Sequence, residues 1–193
     1  MIPILILAAG QSTRMRGRDK LLEQVDGMPL IRQRVLAALT VSPVVHIALP
    51  APDHPRAAAI ADLPVTLTMV ADAATGLSAS LRRGVAALAD CNHFMILLAD
   101  LPAITAQDMT LLIRSITPGH HIWRGTSADG TPGHPIIFDA VLRPLFATLT
   151  GDSGAKSILS AHPIKLVGLP GDHATRDLDT PQDWAEWRAE TGR

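Results

Sequence analysis

Apolar runs of strand length alternate with longer helix-forming stretches through the first two thirds of the chain. Ile4–Ala8, Val44–Leu49, Val65–Val70 and Phe94–Ala99 read as strands, each flanked by proline, glycine or aspartate. Between them, Pro29–Leu39, Arg56–Asp62, Ser78–Ala89 and Thr105–Ser115 read as helices. Pro29 suits a first helical turn, and Thr105 with Asp108 three residues later forms an acidic capping box. Phe94–Ala99 is the most apolar run, which predicts a strand at the sheet centre, covered on both faces. Such alternation predicts a mostly parallel sheet sandwiched between two helical layers.

The rhythm changes after Pro118. Ile122–Gly125 and Pro135–Phe138 predict two strands around a Gly/Pro/Ser-rich connection, an antiparallel addition in the second half. Short helices over Val141–Thr148 and Ala155–Ala161 follow, then a strand over Ile164–Leu169. Thr180-Pro181-Gln182-Asp183 opens a last helix with a cap, an N1 proline and an acidic first turn. No repeat or linker interrupts the pattern, so one domain over residues 1–193 is expected.

Composition narrows the function classes. Hydrophobic residues make up 47% of the chain and charged residues 18%, as in an ordinary folded globule. A net charge of −1, no tyrosine and three residues each of Phe and Trp give neither a basic field nor a stacking platform for nucleic acid. Cys91 is the single cysteine, which rules out an intramolecular disulfide and fits a reducing compartment. The apolar start Met1–Gly10 lacks a basic leader and is too short to span a bilayer. No membrane partner is expected, and the cytoplasm is the expected location.

The richest chemistry lies between Leu7 and Lys20, just past the first strand, where open α/β sheets bind ligands. Ala8, Ala9 and Gly10 are small enough for backbone groups to approach a ligand closely. Arg14, Arg16, Arg18 and Lys20 concentrate four cations that can neutralise a triphosphate and a departing pyrophosphate. Taken alone, the same run also reads as a solvated basic loop. Neither the G-x-x-x-x-G-K-[ST] loop nor a G-x-G-x-x-G turn is present. Asp100 closes the most apolar strand, a poor place for packing and a good one for a cation, although Pro102 also permits a plain turn. Asp179 stands before the last helix, where it suits either a metal or the helix N-terminus. Asp177 and Asp179 point the same way if the segment is extended. Ser78 reads as a helix cap, and Gly151-Asp152-Ser153-Gly154-Ala155-Lys156 as a turn into a helix with an exposed lysine or an anion site.

L-A-A-G-x-S-x-R-M from Leu7 to Met15, followed by Asp19-Lys20-Leu21-Leu22, resembles the signature of the MobA-like nucleotidyltransferases. Gly76–Leu81, Leu97–Pro102, Gly133-His134-Pro135, Gly151–Ala155 and Asp177–Pro181 extend the resemblance, in the family's order, over nearly the whole chain. The molybdenum cofactor cytidylyltransferase branch is the most similar, because Ala9 stands where guanylyl relatives usually carry a second glycine. Arg16 departs from the pattern by taking the place of a common glycine. The family implies a Rossmann-like three-layer α/β sandwich whose N-terminal part binds the nucleotide and whose C-terminal part binds the acceptor. It implies CTP as co-substrate, Mg²⁺ on Asp100 and Asp179, and a triphosphate held by Arg14 and Lys20. Ala8, Ala9, Gly10, Ser12 and Ser80 would face the nucleotide, and His134 would belong to the binding site through its motif. The implied partners are molybdopterin and a molybdenum hydroxylase apoprotein or its maturation factor. The alternatives are another phosphorylated metabolite, GTP as donor, or a carrier that delivers the cofactor with little catalysis.

Overall fold

The computed structural model describes residues 1–193. In chain order, β1 (Ile4–Leu7) leads through single turns at Thr13–Met15 and Lys20–Leu22 into β2 (Gln24–Val25), β3 (Met28–Pro29) and α1 (Leu30–Leu39). Next come β4 (Val45–Leu49), α2 (Pro55–Ala58), β5 (Thr66–Met69), α3 (Leu77–Ala87) and β6 (His93–Leu98). The second half holds α4 (Ala106–Arg114), β7 (Ile122–Thr126), β8 (Pro132–Asp139), α5 (Arg143–Phe146), α6 (Lys156–Ala161), β9 (Ile164–Gly168) and α7 (Pro181–Thr191). No helix is long and apolar enough to cross a membrane.

Seven strands form one sheet in the order β5-β4-β1-β6-β8-β7-β9, and β8 alone runs against its neighbours. This is the expected three-layer α/β sandwich with a mostly parallel sheet. The predicted antiparallel pairing exists, with Trp123 opposite Ile137, and it extends the main sheet instead of standing apart. A second antiparallel pair, β2 with β3, was not expected. Its turn is Asp26-Gly27, both with positive φ (51° and 78°), the pairing a two-residue hairpin favours.

Alternation along the strands builds two cores. Ile4, Ile6, Met95, Leu97 and Ile137 face α1, α4 and α7, where all three tryptophans are buried. Leu5, Leu7, Phe94, Ile96 and Phe138 face α3, α5 and α6. Phe94 and Phe138 stack at 5.7 Å, and Phe146 meets Phe138 edge-on at 5.1 Å. β6 pairs with β1 and β8 and is covered on both faces, as its composition predicts.

Strand order reverses at β1, so a crevice opens between the carboxyl ends of β1 and β6, where Leu7 lies beside Leu98. The helix expected over Arg56–Asp62 is only the single turn Pro55–Ala58, and Arg56 turns inward to 1% exposure. All five of its N–H donors are used on the loop after β1. Nη1 donates to the carbonyls of Ala8 (2.6 Å) and Gly10 (2.7 Å), and Nη2 to Ser12 Oγ (3.0 Å). Nε and Nη2 form a fork on Asp19 at 2.7 and 2.8 Å. Asp19 Oδ1 also caps the turn that carries Lys20, accepting from Leu21 N at 3.0 Å.

Arg56→Met should therefore cost about 3–5 kcal/mol of stability in urea denaturation, because it leaves Asp19 and two carbonyls without their partner. A loss below about 1 kcal/mol would mean that water replaces the guanidinium freely.

Candidate active site

Arg56 decides which way the loop's peptides face. A trans peptide is planar, with its C=O and N–H pointing in opposite directions. Drawing the Ala8 and Gly10 carbonyls onto Arg56 turns the N–H groups of Ala9 and Gln11 away from it, toward the crevice. No N–H from Ala9 to Arg14 donates within the chain. Successive free amides of this kind form an anion-binding concavity. Arg16 adopts φ 52°, a left-handed conformation that a glycine takes without strain.

Asp100, two residues beyond the end of β6 at Leu98, faces Lys20 across the crevice. Lys20 Nζ lies 2.5 Å from Asp100 Oδ2 and 2.5 Å from Asp179 Oδ1. Arg14, far more exposed, reaches the other Asp179 oxygen at 2.5 Å. Burial alone would lower the Lys20 pKa, but the charge and hydrogen bond of Asp100, with those of Asp179, outweigh it and raise the value. Asp177 joins the cluster: one carboxyl oxygen each from Asp100, Asp177 and Asp179 lies within 4.8 Å of the others. Desolvation, then the charges of Asp179 and Asp100, raise the pKa of Asp177. Asp100 Oδ1 is buried without any hydrogen-bond partner. A buried carboxylate oxygen without a donor, beside two further carboxylates, suits a hard cation such as Mg²⁺.

The segment carrying Asp177 and Asp179 is held from several sides. Leu178 N donates to Asp100 O at 3.4 Å, and Asp183 Oδ2 accepts from Asp179 N at 3.0 Å. Thr180 and Asp183 form the predicted capping box of α7. Upstream, His134 N donates to Ala174 O at 2.8 Å, an approach so close that a Cβ on Gly133 would sit 1.8 Å from that oxygen. Only glycine fits there.

Three neighbouring spaces that share lining residues follow one another as a trough along the crevice. The first, about 360 Å³, is bounded by Gly10, Gln11, Thr13, Gly76, Ser80 and Asp152. A narrow middle part of about 110 Å³ touches Ala8, Ala9, Lys20, Ser80 and Asp100. The third, about 370 Å³, runs under α3 and α6 and includes Arg124, His134 and Lys156 at its polar side. Ala9, Gly10, Lys20, Ser80 and Asp100 thus meet in one place, with Arg14 at its edge. His134 lines the far space, its Nδ1 3.4 Å from Ile96 O, and burial pushes its pKa down to about 4.

Several expectations change. The Ala8 N–H donates to Ala48 O and its carbonyl accepts from Arg56, so neither backbone group is left for a ligand. Ser12 Oγ accepts from Lys20 N at 3.3 Å and from Arg56, so its hydroxyl braces the loop and its backbone N–H is the group left for a ligand. Ser78 is no cap: it lies inside α3, fully buried, and donates to Thr150 O at 3.1 Å. Asp152 does the capping from a distant loop, accepting from Leu77 N at 3.1 Å. Gly76 permits this, since a Cβ there would meet Gly151 O at 2.6 Å and its φ is 115°. α6 spans only six residues, and the Gly151–Lys156 turn serves the start of α3 more than it offers an anion site. Arg56 was missed altogether. Its one signal is that no other Lys or Arg occurs between Arg34 and Arg82.

Comparison with known proteins agrees with this geometry. Residues 4–166 match the MobA-like NTP transferase domain family. The chain is 30% identical over 125 residues to the nicotine blue oxidoreductase of Paenarthrobacter nicotinovorans, covering 61% of each protein. The fold matches Rv0371c from Mycobacterium tuberculosis H37Rv at 24% identity and a TM-score of 0.84, covering 96% of both chains. That protein is also known in complex with manganese. A CMP:2-keto-3-deoxy-manno-octonic acid synthetase complexed with CTP shares the fold at 14% identity and a TM-score of 0.78, over 99% of this chain and 98% of that one. With this fold, and with its family's model matched over residues 4–166, the chain is a member of the MobA-like NTP transferase domain family.

Proposed function

We propose that the enzyme transfers CMP from CTP to the terminal phosphate of molybdenum-bearing molybdopterin, releasing pyrophosphate, with Mg²⁺ as its cation. The observation that carries this reading is the partnerless, buried Asp100 Oδ1 inside the carboxylate cluster, Asp100 lining the same narrow space as Ala9 and Gly10 of the loop of free amides. Asp100 and Asp179 would hold the cation, with Asp177 at its edge. When bound, the cation neutralises phosphate oxygens and stabilises charge on the leaving group.

The chain's own residues supply the rest. Amides from Ala9 to Arg14 receive the triphosphate, and Arg14 and Lys20 bring positive charge to it. An oxygen of the acceptor phosphate attacks the α-phosphorus; the bond from that phosphorus to the bridging oxygen breaks, and pyrophosphate leaves with the electron pair. The acceptor phosphate is already ionised near neutral pH, so no general base is required. Catalysis is then positioning and charge stabilisation. Ala9, only 2% exposed at the narrow part of the trough, is the base-reading candidate that favours CTP over GTP.

Transfer to another phosphorylated metabolite keeps every residue in its role and changes only the far end of the trough.

Pyrophosphate release with Mg²⁺ and molybdenum-loaded molybdopterin, compared among CTP, GTP, ATP and UTP, tests the proposal. Turnover should be highest with CTP; preference for GTP would overturn the assignment of the base. Ala9→Gly should narrow the gap between CTP and GTP by about 1–3 kcal/mol, and unchanged selectivity would remove Ala9 from base reading. Asp100→Asn should lower the rate by about 10²–10³-fold, whereas near-normal turnover would sink its assignment. Lys20 occupies the space between the two proposed ligands, so Lys20→Met should raise Mn²⁺ affinity without nucleotide by about tenfold or more. Calorimetry showing equal affinity would mean that the ammonium does not compete with the metal.

A further inference from the structure

At the end of the sheet opposite the crevice, a row of titratable side chains crosses three strands. Register places His93, the first residue of β6, opposite Asp139 of β8. Asp139 N donates to His121 O at 2.8 Å, which continues the β7–β8 pairing one residue past Ile122. Residues directly opposite one another in neighbouring strands share a face of the sheet, so His93, Asp139 and His121 stand side by side. Their face is that of Met95, Ile137 and Trp123, each two residues along its strand.

The spacing suits a metal. His121 Nδ1 lies 3.2 Å from Asp139 Oδ2. Two ligands about 2.0–2.1 Å from one tetrahedral zinc ion stand about 3.3 Å apart, so this pair already spans one edge of the tetrahedron. Asp139 is oriented by its other oxygen, which accepts from Val141 N at 3.0 Å. The His93 ring rests edge-on against Trp123, with centroids 5.4 Å apart. Cross-strand Cβ atoms are about 4.5–5.5 Å apart, so rotation of the His93 side chain carries a ring nitrogen toward Asp139.

The turn after α4 closes over this row and leaves a space of about 320 Å³. His120 lines that space, and its Nδ1 is buried without a hydrogen-bond partner. A buried imidazole nitrogen with no partner costs free energy, which a bond to a metal would offset. Imidazoles with a single carboxylate select a zinc-class ion over Mg²⁺, which prefers oxygen ligands.

We propose that His93, His121 and Asp139, with His120 as fourth ligand, bind one divalent transition ion of the zinc class and so tie the α4–β7 connection to the sheet. The site is separate from the carboxylate cluster, because the extended stretch from His93 to Asp100, at about 3.3 Å per residue, holds the two about 20 Å apart. It stands whether or not the transferase reading holds.

Calorimetry of the whole, untagged protein with Zn²⁺, in excess Mg²⁺ to occupy the carboxylate cluster, tests this. One Zn²⁺ should bind with a Kd of about 10 µM or tighter. His93→Gln and His121→Gln should each weaken it by about tenfold or more, as should Asp139→Asn, which keeps an acceptor for Val141 N. Co²⁺ in place of Zn²⁺ should show the intense visible absorption of a tetrahedral ion, lost in His93→Gln. Cys91 packs against the opposite face of the sheet, so Cys91→Ser should leave binding unchanged. Zn²⁺ should raise the melting temperature by about 3 °C or more, and by less in His93→Gln. Cooperative unfolding of each variant would show that it remains folded. Weaker binding, affinity insensitive to His93→Gln, loss of binding in Cys91→Ser, the faint spectrum of six-coordinate Co²⁺ or an unmoved melting temperature would each overturn the proposal.

Discussion

Arg56 has five N–H donors, almost no exposure to water, and a hydrogen bond for each donor on the loop between Ala8 and Asp19. Most of the site follows from that constraint. A guanidinium so buried must be neutralised, and Asp19 does so through a two-pronged contact. The remaining donors draw two carbonyls inward, and peptide planarity sends the neighbouring amides outward. Asp19 also caps the turn from which Lys20 enters the crevice. One buried cation thus shapes the loop, while the exposed Arg14 pairs with Asp179 at the edge of the crevice.

Charge balance governs the other half of the site. Three carboxylates within 4.8 Å of one another would repel strongly with nothing between them. Lys20 supplies that countercharge within the chain, 2.5 Å from two of them. Any cation entering the cluster would compete with the Lys20 ammonium for the same carboxylate oxygens.

The two ends of the trough differ in chemistry because different layers build them. The nucleotide end is made of loops, rich in free backbone groups and small residues. The far end lies between a sheet face and two helices, so its walls are the apolar side chains of a core. His134 and Arg124 stand where these environments meet, one neutral through burial and the other fixed by two carbonyls.

Local pattern was enough for the layered fold, since strand and helix periods, caps and prolines act over a few residues. The hairpin at Asp26-Gly27 was not foreseen, because two residues of strand on each side leave too little alternation to announce it. Motif order placed Ala9, Gly10, Arg14, Lys20, Ser80, Asp100 and Asp179 in one site, because each falls at a strand end or a loop the topology gathers. Arg56, Ser12, Ala8 and Asp152 were different. Their roles depend on partners from 7 to 75 residues away, and a side chain's hydrogen bonds over such spans leave no periodic trace. Asp177 and Asp179 remained equivalent in the chain, and both reach the cluster because the extended segment turns both carboxyls the same way. The sequence by itself determined the elements, their layering and the family. Tertiary packing decided which of the site's groups are consumed in holding the loop and which stay free, since only folding assigns each donor its acceptor.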